Sequence, residues 1–130
     1  MRQNISGSSP YEPTVGYSRA VRFGNLVAVA GTTAINPDGG VDSLDAYEQA
    51  RITLRRIEAA LKQAGAGFKD VIRTRIYLTD IKDAEAVGRA HGECFSAIRP
   101  ACTLVEIKGL ITPQLKVEIE ADAVLPGAGA

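Results

Sequence analysis

Between Leu44 and Ala64 the apolar residues Tyr47, Ala50, Leu54, Ile57 and Leu61 recur at every third or fourth position. Arg51, Arg55, Arg56, Glu58 and Lys62 fill the intervening faces. That spacing gathers one apolar stripe on a helix. Asp42, Ser43 and Asp45 supply capping oxygens and favourable charge at its start, and Gly65-Ala66-Gly67 ends it. A second helix is predicted from about Asp83 to Ile98, with Ala84, Val87, His91, Phe95 and Ile98 on one stripe and Pro100 at its exit. Elsewhere the period is two, which predicts strands. Over Asp70–Thr79, Ile72, Thr74, Ile76 and Leu78 alternate with Arg73, Arg75 and Tyr77. Over Lys116–Val124, Val117, Ile119, Ala121 and Ala123 alternate with Lys116, Glu118, Glu120 and Asp122. Gly16–Phe23 and Asn25–Thr33 favour strand about a Gly24-Asn25 turn, and Ala101–Ile107 adds another strand.

Polar or breaker-rich segments complete the pattern. Met1–Pro13 reads as a loose arm, Asn36-Pro37-Asp38-Gly39-Gly40 as a turn, and Pro126–Ala130 as a frayed tail. The order β-β-α-β-α-β-β predicts one α+β domain over residues 1–130 with a mixed sheet, the first and last strand pairs being able to form hairpins. Two helices cover one side of such a sheet. The apolar sets Ile72, Ile76, Leu78 and Val117, Ile119, Ala121, Ala123 belong beneath them. The other side then gathers Arg73, Arg75, Tyr77, Glu118 and Glu120, with Ala28, Ala30 and Leu104 added by neighbouring strands. Such a mixed face suits either a solvated surface or a subunit interface containing a polar pocket.

Composition narrows the function classes. The 130 residues are 45% hydrophobic and 23% charged, and the formal net charge is zero. Nothing there favours nucleic acid or an acidic membrane. Two cysteines, Cys94 and Cys102, and the lone His91 fall short of the roughly four ligands of a structural zinc site, so neither metal nor cofactor is expected. The first ten residues lack the apolar stretch of a signal peptide, and no apolar run approaches the roughly 20 residues of a bilayer span. A reducing cytoplasmic location is the expectation.

Five segments, taken in order, resemble the Rid superfamily (YjgF-type, reactive intermediate deaminases). They are Gly16-Tyr17-Ser18-Arg19-Ala20-Val21-Arg22-Phe23-Gly24-Asn25-Leu26, Ala30-Gly31, and the stretch from Asp70 to Asp80. Arg99-Pro100-Ala101-Cys102-Thr103-Leu104-Val105-Glu106 and Val117-Glu118-Ile119-Glu120-Ala121 follow. The resemblance spans about Tyr11 to Leu125. It implies a chorismate-mutase-like α+β fold and a homotrimer with ligand clefts between subunits. It also implies hydrolysis of enamines and imines, such as 2-aminoacrylate, to keto acids and ammonia. Other relatives are described as endoribonucleases, translation inhibitors or deaminases of aromatic degradation. In the deaminase type an arginine in a Pro-Ala-Arg-Ser-like segment grips the substrate carboxylate, a pairing that fixes orientation as well as charge. A glutamate in the Val-Glu-Ile-Glu segment positions or activates water.

Carried onto this chain, the resemblance assigns Glu118 and Tyr17 as catalytic candidates, and Ala30, Gly31, Cys102 and Thr103 as substrate-binding candidates. Ala30 replaces the usual serine, and Gly88 falls where an asparagine is common. Cys102 stands where the arginine belongs, and a thiol cannot hold a carboxylate as a guanidinium does. Arg75 or Arg99 is left to supply the missing cation, although Arg75 is equally placed to neutralise Glu118 or Glu120. Glu118 itself reads as a general base or as an ion-pair partner of Arg73 or Arg75. Tyr17 either covers the cleft or anchors the first strand. His91, on a helical stripe, reads as a hydrogen-bonded packing residue, and Cys102 as a nucleophile only if cations favour its thiolate. Three functions stay open: hydrolysis of a small imine, a non-catalytic trimeric binder of a carboxylate metabolite or partner protein, and, least supported, RNA cleavage.

Overall fold

The computed structural model describes residues 1–127; the predicted fraying of the tail falls largely on residues 128–130, outside the described residues. Six strands form one sheet: β1 (Arg2–Ile5), β2 (Ala20–Phe23), β3 (Leu26–Thr32), β4 (Val71–Leu78), β5 (Ala101–Glu106) and β6 (Val117–Val124). Their spatial order is β1-β2-β3-β6-β4-β5. Only β4 and β5 run parallel, joined through helix α2 (Ala84–Phe95), and every other pair is antiparallel. Helix α1 (Ala46–Gln63) links β3 to β4. Both helices pack on one side, and the buried cluster between them and the sheet includes Leu54, Ile57, Leu61, Ile76, Leu78, Phe95, Val117 and Ile119. This is the mixed α+β sheet that the alternating periods predict.

Local chemistry sets the boundaries. Asp45 caps α1 by accepting from the Glu48 amide at 2.9 Å, and Gly65, at φ 83°, ends it. The β2–β3 hairpin turns on Gly24, at φ 61°, a conformation that costs glycine little. Buried Gln49 fastens α1 to the segment entering β6. Its amide donates to Ser43 and Gln114 carbonyls, both at 2.9 Å, and its carbonyl accepts from the Lys116 amide at 2.8 Å. Truncation to alanine leaves three part-buried backbone groups to find new partners. Gln49→Ala is therefore expected to lower unfolding free energy by about 1–3 kcal/mol, read from urea melts; an unchanged midpoint would show that water replaces all three bonds.

Several expectations need correction. The N-terminal arm is not loose. Arg2–Ile5 pairs with Ala20–Phe23, and Ile5 is buried, so backbone bonds and one apolar plug hold an otherwise polar segment. The predicted strand from Gly16 begins only at Ala20, because Glu12–Gly16 forms a short π-helical turn. The last two strands do not form a hairpin: β6 inserts between β3 and β4, where its apolar alternation is fully covered, and leaves β5 at the edge. Ile72 does not face the helices. A bulge between Val71 and Arg73 makes Ile72 the extra residue, 54% exposed, while Val71 takes the buried place. Leu104 pairs with Ile76 and packs on the core, not on the open face. Tyr47, counted in the α1 stripe, is only partly buried and donates its hydroxyl to Glu93.

Candidate functional site

Two irregularities make the site. Along β6 the alternation that buries Val117 and Ile119 turns Glu118 to the opposite face. Next to it, β3 bulges between Val29 and Thr32, so that three residue steps on β3 oppose two on β6. Gly31 lies in that bulge. A Cβ there would stand 2.9 Å from Glu118 Cδ and closer still to its Oε2. The missing side chain is what lets the Glu118 carboxylate lie against the β3 backbone.

The carboxylate opens into a cavity of about 330 Å³, bounded by the N-terminal loop, the β3 bulge and the C-terminal end of α1. The loop wall is built by the buried Glu12, whose carboxylate accepts from the amides of Gly7 at 3.0 Å and Ser9 at 3.3 Å. Ser9 Oγ in turn lies 3.1 Å from the Tyr17 hydroxyl. Arg19 sits 5.5 Å from the centre of the Tyr17 ring and donates from Nη2 to the Gly31 carbonyl at 3.0 Å. Val15, Ile35, Ala59 and Ile111 give the cavity its apolar lining.

The electrostatics follow from burial. Glu118 is pushed above the usual carboxylate range by desolvation; the Arg19 charge opposes that shift and Glu120 reinforces it. Arg56, the second guanidinium at the cavity, donates to the carbonyls of Thr33 at 2.8 Å and Ile35 at 2.5 Å and to Asn36 Oδ1 at 3.1 Å. Desolvation lowers its pKa.

Of the residues the sequence singles out, Tyr17, Gly31 and Glu118 meet at this cavity. The others lie elsewhere. Ala30 borders a second, more open depression of about 560 Å³ on the open sheet face with Glu120 and Asp122. Arg75 pairs with Asp122 at 3.3 Å and Glu120 at 3.8 Å, and Tyr77 donates to Glu120. Cys102 and Thr103, both exposed, sit on edge strand β5 in register with Thr74 and Arg75. Arg99 is exposed with φ 57°, in the left-handed region. His91 is bonded to Thr74 Oγ1 at 2.8 Å and stacks at 4.6 Å on Phe95, and burial lowers its pKa. Among the described residues no group of three or more His, Cys, Asp or Glu side chains is arranged for a metal ion.

Sequence reasoning missed Arg19 and Glu12. Arg19 carries a usable signal: it is two residues beyond Tyr17, and in extended chain such residues share a face. Glu12 carries none, because its amide partners are set by the path of a loop.

A small six-stranded α+β unit with a carboxylate cavity at a β-bulge defines the class of protein, and comparison with known proteins specifies it. The family model described as Endoribonuclease L-PSP matches residues 7–125. A crystal structure from Mycobacterium tuberculosis, a member of the YjgF/YER057c/UK114 family, superposes with a TM-score of 0.88 at 51% identity, covering 96% of this chain and 100% of that one. An uncharacterised Streptomyces coelicolor protein is 39% identical over 93% of this chain and 90% of its own. The 2-iminobutanoate/2-iminopropanoate deaminase of Escherichia coli K12 is 32% identical over 83% of this chain and 86% of its own. The chain belongs to the YjgF/Rid superfamily. Its fold is the one shared by that family's solved structures. Among the described residues no helix is long and apolar enough to cross a membrane.

Proposed function

We propose that the protein hydrolyses a small imine or enamine to a carbonyl compound and ammonia, with Glu118 directing the water. The observation that carries this reading is the Glu118 carboxylate, desolvated and held against Gly31 in a cavity that also holds a cation. A carboxylate whose pKa is raised by desolvation is a stronger proton acceptor than an ordinary one. Water attacks the iminium carbon and forms a C–O bond as Glu118 removes one water proton. The nitrogen of the resulting carbinolamine takes that proton. The C–N bond then breaks, the hydroxyl proton passes to the departing ammonia, and ketone and ammonium remain. Tyr17, fixed by Ser9, covers the reacting centre from the loop side.

The reading includes a homotrimer. The open sheet face mixes exposed Val105 and Ala28 with the Arg75–Glu120–Asp122 cluster, a surface better covered than solvated. Cys102, Thr103 and Arg99 then reach a Glu118 cavity only from a neighbouring subunit. A second reading, a trimeric binder of a small carboxylate metabolite without turnover, is favoured by Cys102 in place of the family arginine. RNA cleavage, the activity in the matching family model's description, is the least supported reading for this chain, because its single imidazole is bonded to Thr74 within the fold. Ammonia release from a panel of freshly generated imines tests the proposal. Turnover of at least one member above the uncatalysed rate is expected, with 2-iminopropionate a poor substrate. Silence across the panel favours the binder.

A further inference from the structure

Two guanidiniums line the cavity, and their donors are in different states. Arg56 is engaged by three oxygens. Arg19 is bonded through Nη2 alone, and its buried Nε has no hydrogen-bond partner among the described residues. Nε is closed off from solvent and so from any ligand oxygen, whereas Nη1 makes no hydrogen bond among the described residues and is not buried, so it is the donor an incoming acceptor can reach. No close ion pair of Arg19 with Glu118 is present among the described residues, yet its charge still acts on that carboxylate. The cation is therefore poised across the cavity for an incoming anion. Val15, Ile35, Ala59 and Ile111 surround the same space, whose 330 Å³ exceeds what a three-carbon acid needs.

We infer that Arg19 is the carboxylate anchor of this cavity, standing in from the first hairpin for the arginine absent at Cys102, and that the ligand is a 2-imino or 2-oxo acid with a bulky apolar side chain. The inference rests on the cavity proposed above as the site of imine hydrolysis, but it concerns recognition and is separable from turnover. An Nη1 donor on a guanidinium makes a charge-assisted hydrogen bond to a carboxylate oxygen. Ligand binding leaves the Nη2 bond to Gly31 in place and gives Nη1 an acceptor. The acid is thereby held beside Glu118, which places the adjacent C=N carbon near the water that Glu118 directs, with the apolar substituent directed to the aliphatic lining.

Calorimetric titration of the full chain with phenylpyruvate, its neutral amide and pyruvate tests this. Phenylpyruvate is expected to bind on the order of 10–100-fold more tightly than the amide, the scale of a charge-assisted bond, and more tightly than pyruvate. Arg19→Gln, which keeps a side-chain donor for Gly31 but loses the charge, is expected to abolish the preference for acid over amide. Arg19→Lys is expected to restore part of it. An acid preference unchanged in Arg19→Gln overturns the assignment. So does an equal weakening of both ligands with a fall in melting temperature, since a merely structural arginine behaves that way. Equal binding of pyruvate and phenylpyruvate overturns the apolar side-chain requirement, and no binding of either acid overturns the whole inference. Ammonia release is scored separately. Binding that depends on Arg19 without turnover removes the hydrolase reading alone, and turnover without Arg19 dependence removes this inference alone.

Discussion

Glu118→Gln is expected to keep the fold and the ligand cavity while losing about 10²–10⁴-fold in ammonia release, the usual cost of removing a general base. The amide is nearly isosteric, so it still fits against Gly31, but it cannot accept a water proton. Stability should move the other way. Burial holds the Glu118 pKa above that of the unfolded chain, so its contribution to stability is full below the ordinary carboxylate range and is lost as pH rises through the folded value. At neutral pH the wild type carries a desolvated charge that the glutamine variant lacks. Glu118→Gln is therefore expected to melt higher than wild type at pH 7 and to lose that advantage near pH 4. Wild-type turnover should fall as pH drops through the folded pKa, which protonates the base. Light scattering at micromolar concentration should give the same trimeric mass for both proteins. Full activity in a stable, trimeric Glu118→Gln protein would sink the base assignment; a lower melting temperature at neutral pH would mark Glu118 as an ion-pair partner instead.

The second large effect comes from a residue with no side chain. Gly31 does not have a positive φ, so alanine fits its backbone without strain. What alanine does not fit is the space, because its Cβ meets the Glu118 carboxylate. Gly31→Ala is expected to displace that carboxylate and reduce turnover by about 10²-fold, the scale of a misplacement near 1 Å. The melting temperature should change little, since the displaced group lies at a cavity and not in the core. In the double variant Gly31→Ala/Glu118→Gln the losses should be far from additive, because both substitutions remove the same proton acceptor. Additive losses would mean that Gly31 acts on catalysis by a route other than Glu118.

The sequence by itself determined the elements whose signal is periodic. The 3.6-residue stripe of α1, the strict alternation of β6 and the Gly24-Asn25 turn each encode their own geometry within a few residues, and the structure reproduces them. The outward face of Glu118 followed from that alternation, whereas Gly31 was singled out only by the resemblance to the Rid superfamily. Tertiary structure decided what depends on pairing between distant segments. One bulge turns Ile72 outward although its alternation is apolar, and another brings Gly31 under Glu118; a bulge adds a residue without leaving a mark in hydrophobic period. The polar N-terminal arm became an edge strand because β2 offered unpaired backbone groups, which side-chain composition does not report. The order of strands settled the arginines. β6 between β3 and β4 sets Arg75 among carboxylates, while the segment after Tyr17 brings Arg19 to the cavity beside Glu118. A one-dimensional pattern records which face a residue prefers, whereas which groups meet on that face is fixed by register, and register is a property of the folded sheet.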